Sequence, residues 1–249
     1  KDFTALIDRL HFDVVQEVRL EFSNWENGGS SFLLRRRKSR ALYEMDYKLY
    51  EKYFLGKENG FFIEAGANDG LEQSNTFYLE FHKNWHGILI EPVTEKYYNC
   101  WQNRSQKSYC EEAALVSHDY NGNRIEMIYT PGCKGLMSVI DDENADALMK
   151  RVSEKGIPMM VRAAALDSIL SNYVSDRGLD QPPHIDLLVL DVEGYELQAL
   201  KGLSLNDWQI DYILVEELQD TDEIQSYLAQ FGYTRIDKLS HHDYLYKKG

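Results

Sequence analysis

One stretch decides the fold: Gly60-Phe61-Phe62-Ile63-Glu64-Ala65-Gly66-Ala67-Asn68-Asp69-Gly70. Its short and nearly continuous apolar run is typical of a parallel strand that is covered on both faces. In open α/β sheets, a glycine turn at the carboxyl end of such a strand lets a nucleotide approach the backbone closely. The turn here is GxxxG, and it lacks the GxGxxG pattern that aims a helix end at a pyrophosphate. The stretch therefore predicts a buried strand beside a site for a nucleoside ligand that has no pyrophosphate.

Short apolar runs alternate with helical stretches after this strand, which is the pattern of a parallel sheet with crossover helices. The clearest runs are Gly87–Glu91, Ile185–Asp191 and Asp211–Glu216, and Tyr109–Val116 is a candidate fifth strand. The run Ile125–Thr130 alternates apolar and polar residues, which predicts a hairpin or an edge strand.

The end of the chain predicts a helix and two closing strands. The helix covers Ile224–Phe231, and the strands Tyr233–Leu239 and Tyr244–Tyr246 are close enough in sequence to be antiparallel neighbours. The predicted fold class is therefore α/β: a Rossmann-like, mostly parallel sheet with an antiparallel C-terminal strand and helices on both faces.

Two amphipathic helices are predicted before the sheet. Apolar residues recur at three- and four-residue intervals from Phe3 to Phe22, and a second stripe runs from Leu42 to Tyr53. We expect these helices to pack on the sheet edge or to cover the active site. The sequence thus predicts an N-terminal helical extension, residues 1–59, and a Rossmann-like domain, residues 60–249.

Composition limits the classes of function. A net charge of −14 disfavours a nucleic-acid substrate, because nucleic-acid enzymes gain affinity from a basic face. The basic cluster Arg35–Arg40 is either a solvated turn or a weak contact for an anionic ligand. The three cysteines form no CxxC pair and no disulfide framework, and no apolar run reaches the length of a membrane span. The expected compartment is the cytoplasm.

An acidic residue ends the second predicted strand. The Glu91 carboxylate can accept hydrogen bonds from two ribose hydroxyls, as acidic residues do after this strand in nucleoside-binding sheets. Glu91 and the glycine turn together favour a nucleoside cofactor.

Several motifs occur in one order along the chain: the stretch Gly60–Gly70, then Ser74-Asn75-Thr76, Trp85–Pro92, Asn103-Arg104, Leu166–Leu170 and Asp191-Val192-Glu193-Gly194-Tyr195-Glu196. In this combination the sequence resembles the FkbM-type S-adenosylmethionine-dependent methyltransferases, from about Gly60 to Tyr246. The resemblance implies a class I methyltransferase sheet and S-adenosylmethionine as cofactor.

The resemblance also implies roles for individual residues. The methionine part of the cofactor would be lined by Glu64, Gly66, Asn68 and Gly70, and its ribose would be held by Glu91. Glu112 and Ala113 would border the adenine. Ser74 and Asn75 would lie near the cofactor, although the same residue types also cap helices.

The implied reaction is methyl transfer to a hydroxyl of a sugar, glycan or glycosylated natural product. Such a hydroxyl is a poor nucleophile until a base or a metal ion assists its deprotonation. Asp191 is the first candidate for the carboxylate that assists this deprotonation. Glu193 and Tyr195 are the second candidates, and the alternative is that they only begin the next helix. His241 is a further candidate base, because histidine titrates near neutral pH.

A magnesium site is the alternative to a base. Asp191 ends one predicted strand and Glu216-Glu217 end the next, so their carboxylates are expected at one edge of the sheet, where they suit Mg²⁺. This arrangement resembles metal-dependent sugar O-methyltransferases by position.

The irregular stretch Lys134–Ser138 is expected to form a mobile lid or a simple loop. Two other functions stay open: a nicotinamide-dependent oxidoreductase, which the missing GxGxxG disfavours, and a non-catalytic nucleoside-binding module.

Overall fold

The computed structural model describes residues 38–129, 138–140, 157–218 and 222–249, and of residues 138–140 only the backbone. The chain divides into two compact units, Lys1–Ser39 and Arg40–Gly249. The second unit contains the strands and helices of the fold.

A seven-stranded sheet forms the centre of this unit. Its strands are β1 (Phe61–Ala65), β2 (His86–Ile90), β3 (Tyr109–Glu111), β8 (Ile185–Leu190), β9 (Ile210–Glu216), β10 (Tyr233–Lys238) and β11 (Asp243–Lys248). They lie in the order β10-β11-β9-β8-β1-β2-β3. The five strands from β9 to β3 in this order are parallel, and β11 is antiparallel to both β9 and β10.

Helices cover both faces of this sheet. Side chains alternate along β1, so Phe61 and Ile63 point to one face of the sheet and Phe62 points to the other. Phe61 and Ile63 belong to one buried cluster, and Phe62 belongs to a second. The helices are α1 (Met45–Tyr53), α2 (Phe77–Lys83), α3 (Thr94–Asn103), α4 (Leu166–Asp176), α5 (Glu196–Lys201) and α6 (Glu223–Ala229). The predicted α/β class, the mostly parallel sheet and its antiparallel C-terminal strand are confirmed.

A second sheet of four strands, ordered β4-β7-β5-β6, lies outside the main one. Its strands are β4 (Ala114–Leu115), β5 (Arg124–Tyr129), β6 (Ser138–Ile140) and β7 (Ile157–Ala164).

The second sheet changes two predictions. The predicted strand Tyr109–Val116 is split, because β3 pairs with β2 whereas β4 pairs with β7. The alternating run Ile125–Thr130 does pair antiparallel with its neighbours, but β5 lies between β6 and β7 and is not an edge. Its polar residues alternate because one face of the sheet is exposed.

The second predicted N-terminal helix exists as α1, after a short 3₁₀ turn at Leu42–Glu44. It packs on the face of the main sheet and not on its edge, since Leu49 and Tyr50 are buried with Phe62 and Leu187 of the central strands. The predicted helix between Phe3 and Phe22 lies outside the described residues. None of the described helices has the length and apolar character that a membrane span requires.

Candidate active site

A cleft of about 970 Å³, its solvent-open part included, lies at the carboxyl ends of β1, β2 and β8. We call it the strand-end cleft. The described residues that line it include many of the predicted site residues, namely Glu64, Gly66, Asn68, Asn75, Glu91, Ala113, Asp191 and Glu193. The parallel topology explains this convergence, because the carboxyl ends of neighbouring parallel strands meet at one edge.

The glycine turn after β1 allows a close approach between backbones. Gly66 has a φ of +84°, and a β-carbon on it would stand 1.8 Å from the carbonyl oxygen of Asp191. The turn is further fixed by the N–H groups of Gly66 and Ala67, which both donate to the carbonyl of Ile90. No other residue type fits at position 66 without displacing the strand-end backbone.

Gly70 closes the turn on its other side. Its φ is +79°, and an added β-carbon would stand 2.9 Å from Cγ of Arg104 and 3.0 Å from Sγ of Cys100. Gly70 therefore packs against the end of α3 and is absent from the described lining of the strand-end cleft.

Glu91, which is predicted to hold the ribose, lines the strand-end cleft. Its side chain is buried, and its two oxygens accept the N–H groups of Asn68 and Val93, each at 2.9 Å. A carboxylate has about four acceptor sites, so both oxygens can accept further donors from a ligand. Burial raises the pKa of Glu91 to about 7, against the two backbone donors that lower it.

Glu64 lines the strand-end cleft, yet most of its acceptor capacity is used within the protein. It accepts the Ser74 hydroxyl at 2.9 Å and the N–H of Asn75 at 2.6 Å, and Thr76 also donates to it. The fully buried Arg104 lies 3.4 Å away. Glu64 thus anchors the segment that leads into α2.

Arg104 joins three parts of the site. Besides Glu64, it pairs with Glu80 of α2 at 2.6 Å and donates to the carbonyl of Gly70 at 3.1 Å. Arg104 belongs to one of the motifs that carry the family resemblance, but no local pattern predicts this role, since its partners are distant in sequence.

Ser74 and Asn75 differ in their surroundings. The Ser74 hydroxyl accepts the N–H of Phe77 at 3.1 Å, so it caps the start of α2 and does not line the cleft. Asn75 lines the cleft, and its buried Oδ1 has no hydrogen-bond partner in the described part of the chain. The same is true of Nδ2 of Asn68. Two residues of the lining thus each carry a buried amide atom with unused hydrogen-bonding capacity, an acceptor on Asn75 and a donor on Asn68.

Asp191 follows β8 and lines the cleft, and its carboxyl is hydrogen-bonded to the carboxyl of Glu216 at the end of β9. Burial and the nearby charge of Asp243 raise the pKa of Asp191 to about 6. Burial and the charge of Asp191 raise the pKa of Glu216 to about 10. The two carboxyls therefore share one proton at neutral pH, and the pair carries a single negative charge.

The structure does not assemble the predicted magnesium set of Asp191, Glu216 and Glu217. Glu217 is paired with Arg235 at 2.8 Å and accepts the hydroxyl of Tyr246 at 2.5 Å. Consecutive side chains of an extended segment point to opposite sides, so the Glu217 side chain points away from that of Glu216.

Among the described residues, a group of side chains close enough to hold a metal ion lies elsewhere. It consists of His184, Asp186 and Asp211. It lies at the amino ends of β8 and β9, away from the strand-end cleft, and Lys57 is paired with Asp186 there.

The remaining predicted residues are distributed unevenly. Glu193 lines the cleft with a φ of +58°, whereas Tyr195 packs against the core of the second sheet. His241 is exposed outside the cleft lining, and its ring contacts Tyr43 edge-on with centroids 6.4 Å apart. Glu112 is bound by the Thr94 hydroxyl and is also absent from the lining.

The sequence did not predict the contribution of the second sheet. Met127 and Tyr129 of β5 line the cleft beside Ala113. The alternation in β5 was a usable signal for a surface with one buried face, but not for its placement over the cleft. Of the basic cluster Arg35–Arg40, only residues 38–40 are described, and of the predicted lid only Ser138.

A family model for the methyltransferase FkbM domain matches residues 64–244. The methyltransferase sdnD of Sordaria araneosa is 26% identical over 184 residues, which cover 67% of this chain and 69% of that protein.

Two solved structures are similar at low identity. M. capricolum TrmK in complex with S-adenosyl-homocysteine has a TM-score of 0.38 and 7% identity, over 81% of this chain and 66% of that one. This chain thus spans just under two thirds of TrmK. A ribosomal RNA methyltransferase of Plasmodium falciparum has a TM-score of 0.43 and 15% identity, over 85% of this chain and 97% of that one. At such scores neither structure bears on function, but the family model spans well over half of the sequence, and this chain belongs to the FkbM methyltransferase family.

Proposed function

We propose that this family member is an S-adenosylmethionine-dependent O-methyltransferase that acts on a hydroxyl of a sugar, a glycan or a glycosylated natural product. One observation carries the proposal: Glu91, with free acceptor sites, and Asp191, whose carboxyl is paired with that of Glu216, line the same cleft. The first suits a ribose and the second suits a hydroxyl to be deprotonated.

The lining fits this cofactor. Glu91 would accept the two ribose hydroxyls, and the unpartnered Nδ2 of Asn68 and Oδ1 of Asn75 would pair with the carboxylate and the ammonium of the methionine part. Gly66 leaves room for close contact with the turn. When bound, the cofactor supplies an electrophilic methyl group on a sulfonium.

Asp191 would accept the proton of the acceptor hydroxyl. The hydrogen bond from Glu216 holds one Asp191 oxygen, and the N–H of Asp191 donates to the carbonyl of Ala65 at 3.1 Å, so both its side chain and backbone are fixed. Such positioning matters because a base acts only within hydrogen-bond reach of its proton. The proposal gives no role to Mg²⁺, since Glu217 is engaged by Arg235.

The charges around the cleft favour an uncharged acceptor. Five carboxylate side chains occur in its described lining, from Glu64, Glu72, Glu91, Asp191 and Glu193, and Lys96 is the single cation in that lining. An acceptor that carries phosphate would be repelled by this field. A nucleic-acid acceptor is disfavoured for the same reason.

The test has two parts. Calorimetry with S-adenosylmethionine, S-adenosyl-homocysteine and a nicotinamide dinucleotide measures which nucleoside binds, and we expect only the first two to bind. Mass spectrometry of a glycan and glycolipid pool treated with the protein and methyl-labelled cofactor then measures transfer. Label on saccharides supports the proposal, and label only on protein overturns the acceptor class. Binding of the nicotinamide dinucleotide alone overturns the proposal and favours the oxidoreductase.

A further inference from the structure

Cys100 and Cys110 lie side by side beneath the glycine turn. Their Sγ atoms are 3.9 Å apart, Cys100 in the last turn of α3 and Cys110 in β3. A disulfide requires about 2.05 Å between the sulfurs, so closure needs a movement of only about 2 Å, shared by two side chains and their backbones. Cys133, the third cysteine, lies outside the described residues.

The two thiols have different surroundings. Cys100 is 1% exposed, whereas Cys110 is half-buried and therefore the more accessible to a small reagent. The contact from Cys100 lowers the pKa of Cys110, with a further contribution from the positive charge of Arg104. The same contact and burial raise the pKa of Cys100. Since the thiolate is the nucleophile, Cys110 is the thiol that reacts first.

The end of α3 holds the glycine turn directly. The side-chain amide of Asn103 donates to the carbonyl of Asp69 at 2.9 Å, and Arg104 donates to the carbonyl of Gly70 at 3.1 Å. The glycine turn and α3 are in close contact, because a β-carbon on Gly70 would stand 3.0 Å from Sγ of Cys100. A displacement of the last turn of α3 therefore changes the contacts that hold Asp69 and Gly70 of the glycine turn.

We propose that Cys100 and Cys110 form a reversible redox-modification site, whose disulfide weakens cofactor binding by moving the end of α3 away from the glycine turn. A peroxide is the oxidant. The Cys110 thiolate attacks one peroxide oxygen, giving a sulfenic acid and hydroxide, and the Cys100 thiol then attacks the Cys110 sulfur and releases water. The two thiols lose two electrons and two protons in total, and the peroxide is reduced to two waters. A dithiol reductant reverses the step by thiol exchange.

The inference rests on the proposed function in one respect, namely that the cleft binds S-adenosylmethionine. Disulfide formation is measured without any ligand, by the loss of two hydrogen atoms from the intact mass and by a peptide that joins Cys100 to Cys110. The full chain carries Cys133→Ser, which prevents pairing with the third cysteine, and it is treated with hydrogen peroxide. Non-reducing electrophoresis identifies any link between chains.

The matched control is Cys110→Ser in the same background, because a half-buried position accepts a hydroxyl with little cost. Cys110→Ala is the second variant, in case the serine variant is unstable. We expect the linked peptide only when both cysteines are present. We further expect the affinity for S-adenosyl-homocysteine, measured by calorimetry, to fall about tenfold or more on oxidation and to recover with dithiothreitol, while the control variants keep their affinity after peroxide.

The outcomes separate the two proposals. If the reduced protein binds no S-adenosyl-homocysteine, the proposed function fails, and the linked peptide still decides whether the site exists. If peroxide yields only sulfinic acid or a link between chains, the redox site is wrong. If the linked peptide forms and the affinity is unchanged, the coupling to the glycine turn is wrong.

Discussion

Gly66 lies against the carbonyl oxygen of Asp191, so that a single added methyl group would stand 1.8 Å from that oxygen. The contact joins the glycine turn after β1 to the strand end that carries the candidate base. The positions of the two are therefore not independent.

We predict that Gly66→Ala destabilises the protein by about 2 kcal/mol or more and abolishes cofactor binding, because the clash and the positive φ act together. Thermal melting and calorimetry with S-adenosyl-homocysteine measure the two effects. Gly56→Ala is the matched control, since Gly56 has a φ of +82° and nothing within 4 Å of an added β-carbon. Equal losses in both variants would show that backbone strain, and not the contact with Asp191, matters.

Glu91 should bind ribose only as a carboxylate. We predict that Glu91→Ala weakens both S-adenosylmethionine and S-adenosyl-homocysteine by about 1.5–3 kcal/mol, the range for hydrogen bonds to a charged group. Because the pKa of Glu91 is raised to about 7 in the free protein, the affinity of the wild type should rise as the pH increases through about 7. Calorimetry across this range measures both effects, and an unchanged affinity in the variant would place the ribose elsewhere.

Asp191 is expected to act in the reaction and not in folding. We predict that Asp191→Asn keeps its melting temperature and cofactor affinity but loses turnover about 10²–10⁴-fold, the usual contribution of a general base. The wild-type rate should rise as the pH increases through about 6, because only the ionised carboxyl accepts a proton. A variant that melts lower but turns over normally would identify a structural carboxyl.

Substitutions of Glu216 distinguish between Asp191 as a general base and Asp191 as a metal ligand. Glu216→Gln keeps a permanent hydrogen-bond donor to Asp191, so we predict that it retains most activity, whereas Glu216→Ala does not. Activity of the wild type should also survive a chelator. Loss of activity in chelator, restored by magnesium in the wild type but not in Glu216→Gln, would instead establish a metal bound at both strand ends.

The buried carboxyl of Glu196 should make the free energy of unfolding depend on pH. Its carboxylate accepts the N–H groups of Val192 and Gly194, but burial raises its pKa to about 7 from an ordinary value of 4.5. The folded state thus binds a proton that the unfolded state has lost, so this contribution is present below about pH 4.5 and is lost as the pH rises to about 7. We predict that Glu196→Gln, whose amide oxygen can accept both bonds, reduces the loss of unfolding free energy between these limits. Chemical denaturation at several pH values measures it, and parallel curves for both proteins would contradict the prediction.

Much of the main sheet could be predicted because buried parallel strands are continuous apolar runs, and their acidic or glycine-rich ends stand out against them. Glu91 and Asp191 were found in this way, and both line the cleft. Strand β7 was not predicted, because Pro158 and two methionines weaken the strand pattern at its start.

Side-chain direction and long-range pairing limited the prediction of the site. Glu217 follows Glu216 directly in sequence, yet its partner Arg235 turns it into a separate network. The sequence placed His241 among the candidate bases for its chemistry alone, and no local pattern shows that it lies against Tyr43. Arg104 could not be assigned because its partners are 24 and 40 residues away.

The acidic lining of the strand-end cleft has a consequence for product release. The proposed cofactor carries a sulfonium cation that methyl transfer converts into a neutral thioether. A lining with five carboxylate side chains and one lysine attracts that cation and loses this attraction when the charge disappears. The cleft would thus hold the spent cofactor less tightly than the fresh one, and this difference should grow as Glu91 and Asp191 ionise. Although ionised Glu91 strengthens ribose binding for both molecules, the spent cofactor should compete least well with the fresh one on the alkaline side of neutrality.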